Sequence, residues 1–448
     1  MKEYSSGNII NIILSGHASS GKTMFAEAML YSAKKIHKMG AIEAGTTISD
    51  FRELEKIQQC SISLSLMNVE WKEKKINFID CPGYPDFQGD MHSATRVADT
   101  ALVFIHAVNG LQIGTQLAVD AISKDNKKPC AFVVNMVDRD QAKFDEILNS
   151  LRDRFGRGVL PFFFPLNSGE NFNQIADVLN KEVLSFKTDG SGDYTSETPE
   201  GDILSKIEDL HNELIEFIAE SDEELLENYF ENGSLNENEI HLGLKKAMLN
   251  GGLLPLFSCS GQKNIGVKRI LDIISDNFPA SSDFSDVDSS KSASALVFKT
   301  VSEAHVGELS FFKVFSGALN IGDELHNISK NTSERLRQIF IINGHDKHET
   351  QKIIAGDIGA ALKLKNTHTC DVLCATKNKV NISGINFPIS NVSFAVISKS
   401  RGDEDKIATG LSLIHEEDPT FTYKFDPELK QTIISGQGEM HIDLILKK

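Results

Sequence analysis

The sequence lacks the features that would place it in a membrane or direct it out of the cell. Within its 448 residues, no apolar run approaches the roughly 20 residues that a helix needs to cross a bilayer. The N-terminal stretch MKEYSSGNIINIILSG leads directly into a glycine-rich loop and carries no small-residue cleavage site. We therefore interpret it as a first strand and not as a signal peptide.

Paired cysteines are also missing, since the six cysteines show no CxxC pattern and no framework spacing. This predicts reduced, buried thiols in a cytosolic protein. Five histidines likewise show no metal-ligand spacing and are interpreted as surface or loop residues. The cysteines are Cys60, Cys81, Cys130, Cys259, Cys370 and Cys374, and the histidines are His305, His326, His345, His348 and His368.

The sequence contains fewer basic than acidic residues. The 46 Lys and Arg residues stand against 63 Asp and Glu residues, which gives a formal charge of −17. Such a balance argues against general binding to nucleic acid, free DNA included. It leaves open docking on a ribonucleoprotein through a local patch.

The length predicts two to four domains. In the first part of the chain, short apolar strands alternate with helices, a pattern typical of a parallel doubly wound sheet. The predicted elements are strand 8–16, a helix over 22–38, strand WKEKKINFID, a helix from about 88, and the strands ALVFIHAV and PCAFVVN.

The composition and the hydrophobic pattern change further along the chain. Acid-rich helical segments dominate residues 158–250, which we interpret as an insertion into the α/β domain formed by 1–157 and 251–285. After a Ser/Asp-rich linker, short strands with turn signals predict a small β-barrel over 290–378. Residues 385–448 show an α+β pattern, and we find no tandem repeats.

The segment GHASSGKT fits the phosphate-binding pattern G-x-x-x-x-G-K-[ST] and lies between a predicted strand and a predicted helix. Its backbone amides would surround phosphates at a helix N-terminus. Lys22 would bridge the β- and γ-phosphates, and Thr23 would bind Mg²⁺. A chance glycine turn is the competing explanation, which the strand–helix context disfavours. The loop comprises Gly16, His17, Ala18, Ser19, Ser20, Gly21, Lys22 and Thr23.

The residues that follow two later predicted strands indicate which nucleotide base the chain binds. Asn135 and Asp138 form an N-x-x-D motif after PCAFVVN, and a carboxylate there can accept from both N1–H and the 2-amino group of guanine. Alone this tetrapeptide is weak, but its order behind the phosphate loop strengthens it. Ser260 and Gly261, in SCSG, would contact the guanine oxygen through their backbone.

The motif DCPGY follows a third strand end, at Asp80. A simple turn would explain Asp, Pro and Gly there. Beside a phosphate loop and a guanine motif, however, we expect Asp80 to act on Mg²⁺ through its coordinated water. The Gly83 amide would then sense the γ-phosphate, which makes this turn a nucleotide switch.

These residues carry a resemblance to the translation elongation factor G family. The shared segments are GHASSGKT, GTTISDF, DCPGYPDF, RVADTALVFIHAVNGLQIGTQ, NMVDRD, SCSGQKNIGV, HVGELSFFKVFSGAL, AGDIGAALKLKNTHTCDVLC, EEDPTF and ISGQGEMHID. The resemblance implies an α/β P-loop GTPase domain with an inserted α+β subdomain, followed by a β-barrel domain and a partial ferredoxin-like α+β domain. It is strongest for elongation factor G-like paralogues, and we expect a monomeric N-terminal fragment of such a protein.

The sequence departs from the family pattern at several positions. Members usually carry Asp where this chain has Ser19, Lys where it has Met136 and Thr where it has Ser61. Ser61 still offers a hydroxyl to Mg²⁺. Tyr84 stands where a histidine normally helps to place the attacking water. Its hydroxyl can hold a water, or the ring can simply pack beside the switch.

The resemblance implies a cytoplasmic GTPase that binds GTP or GDP with Mg²⁺ and hydrolyses GTP on the ribosome, slowly without it. The expected catalytic residues are Lys22, Gly83 and Tyr84. An alternative is a GTP-dependent ribosome-binding module with negligible hydrolysis. A P-loop ATPase or kinase is disfavoured by Asp138 and Ser260.

Overall fold

The computed structural model describes residues 2–125, 128–303, 307–375, 382–398 and 402–447. The chain divides into two compact units. The sheet unit comprises Ile10–Gly83 and Ala98–Ala280, and the barrel unit comprises Met1–Ile9, Tyr84–Val97 and Ser281–Lys448. None of the helices in the described residues combines the length and the apolar character that crossing a bilayer requires.

Strands and helices alternate through the first 280 residues, as the sequence pattern predicts. In chain order the elements are β1 (Ile9–Gly16), α1 (Lys22–Ser32), α2 (Glu53–Gln58), β2 (Ser65–Trp71), β3 (Lys74–Asp80), α3 (Gln88–Val97), β4 (Thr100–His106), α4 (Ile113–Val119), β5 (Cys130–Asn135), α5 (Phe144–Phe155), β6 (Val159–Pro161), β7 (Phe163–Pro165), β8 (Gln174–Asp177), β9 (Glu182–Phe186), β10 (Tyr194–Glu197), α6 (Gly201–Ala219), α7 (Glu223–Asn232), α8 (Glu237–Leu249), β11 (Leu254–Ser258) and α9 (Val267–Asn277).

A seven-stranded sheet in the order β2-β3-β1-β4-β5-β11-β6 forms the centre of the sheet unit. Strands β1, β4, β5, β11 and β6 run parallel, each to the next in this series. Every residue of β1 and β5 is buried, as expected for strands covered on both faces. The predicted α/β architecture is confirmed, with one difference at the sheet edge.

At that edge, β2 pairs antiparallel with β3. The predicted strand WKEKKINFID therefore covers the last residue of β2, the hairpin turn and the second arm, β3. The turn lies at Lys72 (φ 41°) and Glu73 (φ 65°). Positive φ at both central residues is the geometry of the tight hairpin turn that matches strand twist. Since neither residue is Gly or Asn, the usual sequence signal for this turn is missing.

Helix α1 is shorter than the predicted span of 22–38. It ends at Ser32, and Lys34 then adopts a left-handed backbone with φ 58°. Beyond it, the chain turns back so that the Gly40 N–H donates to the Glu27 carboxylate. This tertiary contact, which has no local sequence signal, accounts for the early end of the helix.

The inserted subdomain contains an antiparallel sheet in the order β10-β9-β8-β7 together with α6, α7 and α8. Strand β6 pairs instead with β11 of the main sheet. A buried ion pair connects the insertion to α9, with Arg269 Nε 2.7 Å from Asp177 Oδ2. The insertion is therefore α+β and anchored on the main sheet.

The barrel unit is rich in short strands. Its further elements are β12 (Ser294–Glu303), β13 (Gly307–Ser316), β14 (Ala318–Asn320), β15 (Glu324–Asn327), β16 (Thr332–Arg335), β17 (Ile339–Asn343), β18 (Asp346–Thr350), β19 (Lys352–Ile354), β20 (Ile358–Leu362), β21 (Val372–Cys374), β22 (Val392–Val396), α10 (Glu404–Glu417), β23 (Thr422–Asp426), β24 (Gln431–Gly436) and α11 (Glu439–Lys447).

Two β-structures make up this unit. Eight strands in the order β16-β15-β21-β12-β13-β20-β17-β18, with the β14–β19 pair, surround one apolar core. Strands β22, β24 and β23 form an antiparallel sheet that packs with α10 and α11 around Phe421 and Ile434. The predicted barrel and ferredoxin-like domains are thus both present. The predicted segments at 376–381 and 399–401, and His305, lie outside the described residues.

The segment that carries α3 is fixed within the barrel unit. The Asp86 carboxylate accepts from the Met440 N–H (3.0 Å) at the start of α11. Lys299 Nζ on β12 lies 2.5 Å from Asp90 Oδ1. The residues that follow the DCPG turn are therefore held by both β-structures of this unit.

Candidate functional site

The phosphate loop joins β1 to α1 in the geometry that its sequence predicts. Gly21 precedes the first helical residue with φ 82°, a left-handed backbone that favours glycine. Ser19 also has a positive φ of 61°. The Ser20 hydroxyl donates to the His17 carbonyl at 2.8 Å, and Gly114 N–H donates to His17 Nδ1 at 3.3 Å. The loop is therefore shaped by contacts within itself and by one contact from α4.

Lys22 is buried at the centre of this loop, only 5% exposed. Its Nζ donates to the carbonyls of Gly16 (3.2 Å) and His17 (2.9 Å). Burial lowers the pKa of Lys22, while the charge of Asp80 acts in the opposite direction. A buried ammonium group held by carbonyl oxygens is available for an anion at the loop.

The three residues predicted to act on Mg²⁺ lie together. Thr23 Oγ1 donates to Asp80 Oδ2 at 2.8 Å and lies 3.3 Å from Ser61 Oγ. Burial raises the pKa of Asp80 to about 6, against the charge of Lys22 and the hydrogen bond from Thr23. The structure thus assembles two hydroxyl groups and one carboxylate from three separate segments.

Asp50 is a further acidic residue of this cluster that the sequence analysis missed. It is buried, and neither of its carboxylate oxygens has a hydrogen-bond partner among the described residues. Burial raises its pKa to about 7, with the charges of Asp80 and Glu55 adding to the shift. The Oδ1 atom of Asp80 is likewise unpartnered within the described chain.

This donor set fits a magnesium ion. Mg²⁺ is a hard cation that prefers oxygen ligands and retains several of its waters. Buried carboxylate oxygens without partners are costly, and a hydrated divalent cation would supply both charge and hydrogen bonds. Thr23 and Ser61 offer hydroxyl ligands, while Asp80 and Asp50 can accept from coordinated water.

Two buried glutamates hold the segment that contains Asp50 and Ser61. Glu27 on α1 accepts from the Gly40 N–H and, at 2.6 Å, from the Ile48 N–H. Glu55 on α2 is fully buried and accepts from the Ser63 N–H. At the start of α2, Glu55 also accepts from the Arg52 N–H, as the glutamate of a capping box does. Arg52 has no side-chain acceptor, however, so the usual sequence signal for such a box is missing.

Gly83 packs directly against the phosphate loop. A Cβ atom at Gly83 would lie 2.6 Å from both the Ala18 nitrogen and Lys22 Nζ. No other residue type fits without displacing backbone. The DCPG turn therefore brings a main-chain segment to the lysine that is expected to contact the terminal phosphates.

Asn135 connects two loops instead of facing outward. Its Nδ2 donates to the carbonyls of Ser20 (3.0 Å) and Gly21 (3.2 Å), and its Oδ1 accepts from the Gly261 N–H (2.9 Å). The side chain is 1% exposed. Asn135 thus fixes the SCSG loop against the phosphate loop.

Asp138 and Ser260 complete the region predicted to bind the base. Asp138 is 8% exposed, and its Oδ1 is buried without a hydrogen-bond partner in the described residues. The Ser260 N–H donates to the Ile265 carbonyl at 3.0 Å. Because the Gly261 N–H already donates to Asn135, a contact from either amide to a base oxygen requires one of these bonds to be exchanged or shared.

All of the predicted site residues up to Gly83, and those at 135–138 and 260–261, belong to the sheet unit. Except for Ser61, which precedes β2, they lie at or after the ends of β1, β3, β5 and β11, where ligands bind in open α/β sheets. Tyr84, the next residue after Gly83, is the first residue of the barrel-unit segment Tyr84–Val97. It precedes a short 3₁₀ turn over Pro85–Phe87.

Comparison with known families decides the classification. The family model described as "Elongation factor Tu GTP binding domain" matches residues 7–280. "Elongation factor G domain 2" matches 292–376, and "Elongation Factor G, domain III" matches 387–448. The chain belongs to the elongation factor G family.

A solved relative supports this membership. A crystal structure of a protein from Thermus thermophilus superimposes with a TM-score of 0.90 at 27% identity, over 98% of this chain. The chain spans 65% of that protein's length. Against the family pattern, Ser19 and Met136 are departures, and both have positive φ, 61° and 65°.

Proposed function

We propose that this elongation factor G family member binds GTP and GDP with Mg²⁺ and hydrolyses GTP to GDP and phosphate on the ribosome. The observation that carries the proposal is the convergence of four strand ends. They bring together the buried Lys22 ammonium group, the Thr23–Asp80 hydrogen bond and the unpartnered Asp138 carboxylate. Each group has a counterpart on a guanine nucleotide.

The phosphate loop would hold the nucleotide by its backbone amides and by Lys22. On binding, Lys22 Nζ would exchange the carbonyls of Gly16 and His17 for β- and γ-phosphate oxygens. The Gly83 N–H, held beside Lys22 by close packing, would donate to the γ-phosphate. Loss of that phosphate would remove the bond and release the turn.

Thr23 and Ser61 would bind the Mg²⁺ ion, and Asp80 and Asp50 would accept from its waters. The bound ion neutralises charge on the phosphate oxygens. The chain's own part is to keep these four side chains together. Glu27 and Glu55 serve this purpose by holding the backbone around Asp50 and Ser61.

Asp138 would select guanine by accepting from N1–H and the 2-amino group. Its buried, unpartnered oxygen supports this role because such an oxygen is stabilised by a donor. Adenine offers no donor pair in that arrangement. ATP is therefore not expected to compete with GTP.

Tyr84 would place the attacking water through its hydroxyl. Phosphoryl transfer to water depends on positioning and electrostatics, so this group affects the rate more than the affinity. A second candidate function is a GTP-dependent ribosome-binding module with negligible hydrolysis. It is favoured by Tyr84 and Ser61, which replace the histidine and threonine of the family pattern.

The guanine assignment is tested with Asp138→Asn. A bidentate base contact is worth about 1–3 kcal/mol, so calorimetry should show GDP binding weakened by about 5- to 150-fold. Xanthosine diphosphate should gain affinity in the variant. Asp140→Asn, an exposed aspartate two residues on, is the matched control and should bind GDP like the wild type. Unchanged GDP binding by Asp138→Asn would refute the assignment.

Hydrolysis is tested by measuring GTP turnover with and without ribosomes. Faster turnover on ribosomes supports the GTPase function. Ribosome binding that requires a GTP analogue, together with unstimulated hydrolysis, supports the binding module. Equal cosedimentation with GDP and with the GTP analogue would count against a partner whose binding is switched by the nucleotide.

A further inference from the structure

Outside the nucleotide site, three ligand-type side chains meet where the barrel contacts the third domain. Glu308, His368 and Glu416 each offer one ligand atom, and these atoms lie within 4.8 Å of one another. Among the described residues, no other group of three or more His, Cys, Asp or Glu side chains has this property. The three residues are separated along the chain, on β13, on the loop before β21 and at the end of α10.

From this cluster we propose a second metal site, which binds one Zn²⁺ ion and links the barrel to helix α10. Zinc accepts one imidazole nitrogen and two carboxylate oxygens, with water in the fourth position. Mg²⁺ and Ca²⁺ prefer ligand sets made of oxygen alone, so the imidazole favours the softer cation. The site is independent of nucleotide.

The histidine is held in place by its own loop. His368 N–H donates to Asp371 Oδ2 at 2.9 Å, and the Asp371 N–H donates back to the His368 carbonyl at 3.1 Å. Asn327 Nδ2 donates to the same carboxylate oxygen at 3.0 Å. A rigid first ligand lowers the entropic cost of assembling a metal site.

The helix end that carries Glu416 is also fixed to the barrel. Glu417 Oε1 accepts from the Ser302 N–H on β12 at 2.9 Å. Ser302 is the cross-strand partner of Glu308, and the Thr369 hydroxyl donates to the Glu417 carbonyl at 3.4 Å. These two hydrogen bonds between the barrel and the end of α10 therefore bring Glu308 and Glu416 together.

The imidazole faces the cluster with incomplete hydrogen bonding. His368 Nε2 lies 3.7 Å from Glu416 Oε2, beyond hydrogen-bond distance. The Nδ1 atom is buried and has no hydrogen-bond partner in the part of the chain that is described. The side chain is only 13% exposed. A cation bound by Nε2 and by Glu416 Oε2 would join these two atoms, which do not hydrogen-bond to each other.

The charges around Glu308 also favour a cation. The Glu308 and Glu416 carboxylates each place one oxygen within 4.8 Å of the other and of a His368 ring nitrogen. Carboxylates that repel each other in a half-buried site are stabilised by a shared divalent ion. Lys330 Nζ lies 3.6 Å from Asp371 Oδ2, so this cation is paired with a carboxylate outside the cluster.

The geometry needs a modest contraction on binding. Metal–ligand bonds of about 2.0–2.2 Å place tetrahedral ligand atoms roughly 3.4 Å apart. His368 Nε2 and Glu416 Oε2, now 3.7 Å apart, must therefore approach by about 0.3 Å, and no pair of ligand atoms by more than about 1.4 Å. Rotations of the two glutamate side chains can provide this. Glu416 is 39% exposed, which leaves a route for the ion from solvent.

The proposal is tested by titrating the EDTA-treated, dialysed chain with Zn²⁺ in calorimetry and with Co²⁺ in visible absorption, without nucleotide. The wild type should bind one more equivalent of Zn²⁺ than His368→Gln or Glu308→Gln, or bind it at least about 10–100-fold more tightly, judged by the effect of losing a supporting group. The wild type, unlike the two site variants, should develop the visible bands of protein-bound Co²⁺ with fewer than six ligands. His345→Gln, which alters an exposed histidine, is the control and should match the wild type.

Folding is checked by circular dichroism and thermal unfolding in EDTA. If His368→Gln fails to fold, Glu416→Gln on the exposed helix end replaces it. Zn²⁺ should raise the melting temperature of the wild type and His345→Gln more than that of the site variants. Equal stoichiometry, affinity and thermal shift in wild type and site variants would overturn the proposal.

Discussion

The bridge made by Asn135 offers a direct test of how the nucleotide loops are held. We predict that Asn135→Ala weakens GDP binding and destabilises the sheet unit without changing its fold. The substitution removes two hydrogen bonds to the carbonyls of Ser20 and Gly21 and one from the Gly261 N–H. It leaves these three backbone groups without their partner at a site where the side chain was 1% exposed.

The magnitude follows from the number of bonds lost. A net value of about 1 kcal/mol for each buried hydrogen bond gives a total near 3 kcal/mol. This energy divides between the unfolding equilibrium and nucleotide binding, because the bonds support both the fold and the loop positions. If about half appears in binding, GDP affinity falls by roughly tenfold.

The assay combines GDP calorimetry with denaturant unfolding of the nucleotide-free chain. Asn167→Ala is the matched control, since Asn167 Nδ2 also donates to a backbone carbonyl, that of Asn171, and its Oδ1 accepts from the Asn173 N–H. Neither Asn171 nor Asn173 belongs to the nucleotide loops, so this variant should lose stability while keeping GDP affinity. An Asn135→Ala chain with wild-type GDP affinity would show that the bridge does not position the site.

Two other variants test separate parts of the molecule. Tyr84→Phe should slow ribosome-stimulated single-turnover hydrolysis by at least about tenfold and leave GDP affinity unchanged; an unchanged rate would show that the hydroxyl does not hold the water. Asp418→Asn should destabilise the barrel unit by about 1–3 kcal/mol, because Asp418 Oδ2 lies 2.9 Å from His441 Nε2. Burial would raise the pKa of Asp418, but the hydrogen bond and charge of His441 hold it well below its ordinary value. The contribution of ionised Asp418 to the free energy of unfolding is therefore complete above about pH 4 and is lost as the pH falls through the folded-state pKa. The melting temperature of the variant should therefore depend less on acid pH than that of the wild type. Equal acid dependence of the two melting temperatures would contradict this.

The motifs themselves could be predicted from the sequence because their chemistry is local. A glycine-rich loop between a strand and a helix, a carboxylate after a strand and an N-x-x-D tetrapeptide each depend on a few consecutive residues. Their order along the chain then indicated the family, and the family matches confirm it. The alternating strands and helices were likewise predicted from hydrophobic periodicity.

The same interpretation missed residues whose role depends on distant partners. Asp50 and Glu27 are ordinary acidic residues in the sequence, but tertiary packing buries both and places one beside Asp80 and the other against Ile48. The early end of α1 at Ser32 has the same origin. No local pattern encodes which backbone N–H will meet a given carboxylate.

His368 shows this limit most clearly. It shows no metal-ligand spacing in the sequence, since Glu308 and Glu416 lie 60 and 48 residues away along the chain. Only the pairing of β12 with β13 and the contacts of α10 with the barrel bring the three side chains within 4.8 Å. The sequence by itself determined the nucleotide motifs, because consecutive backbone amides and side chains form them. The tertiary structure alone decided which distant carboxylates and imidazoles share a site, because long-range strand pairing and helix packing set those distances.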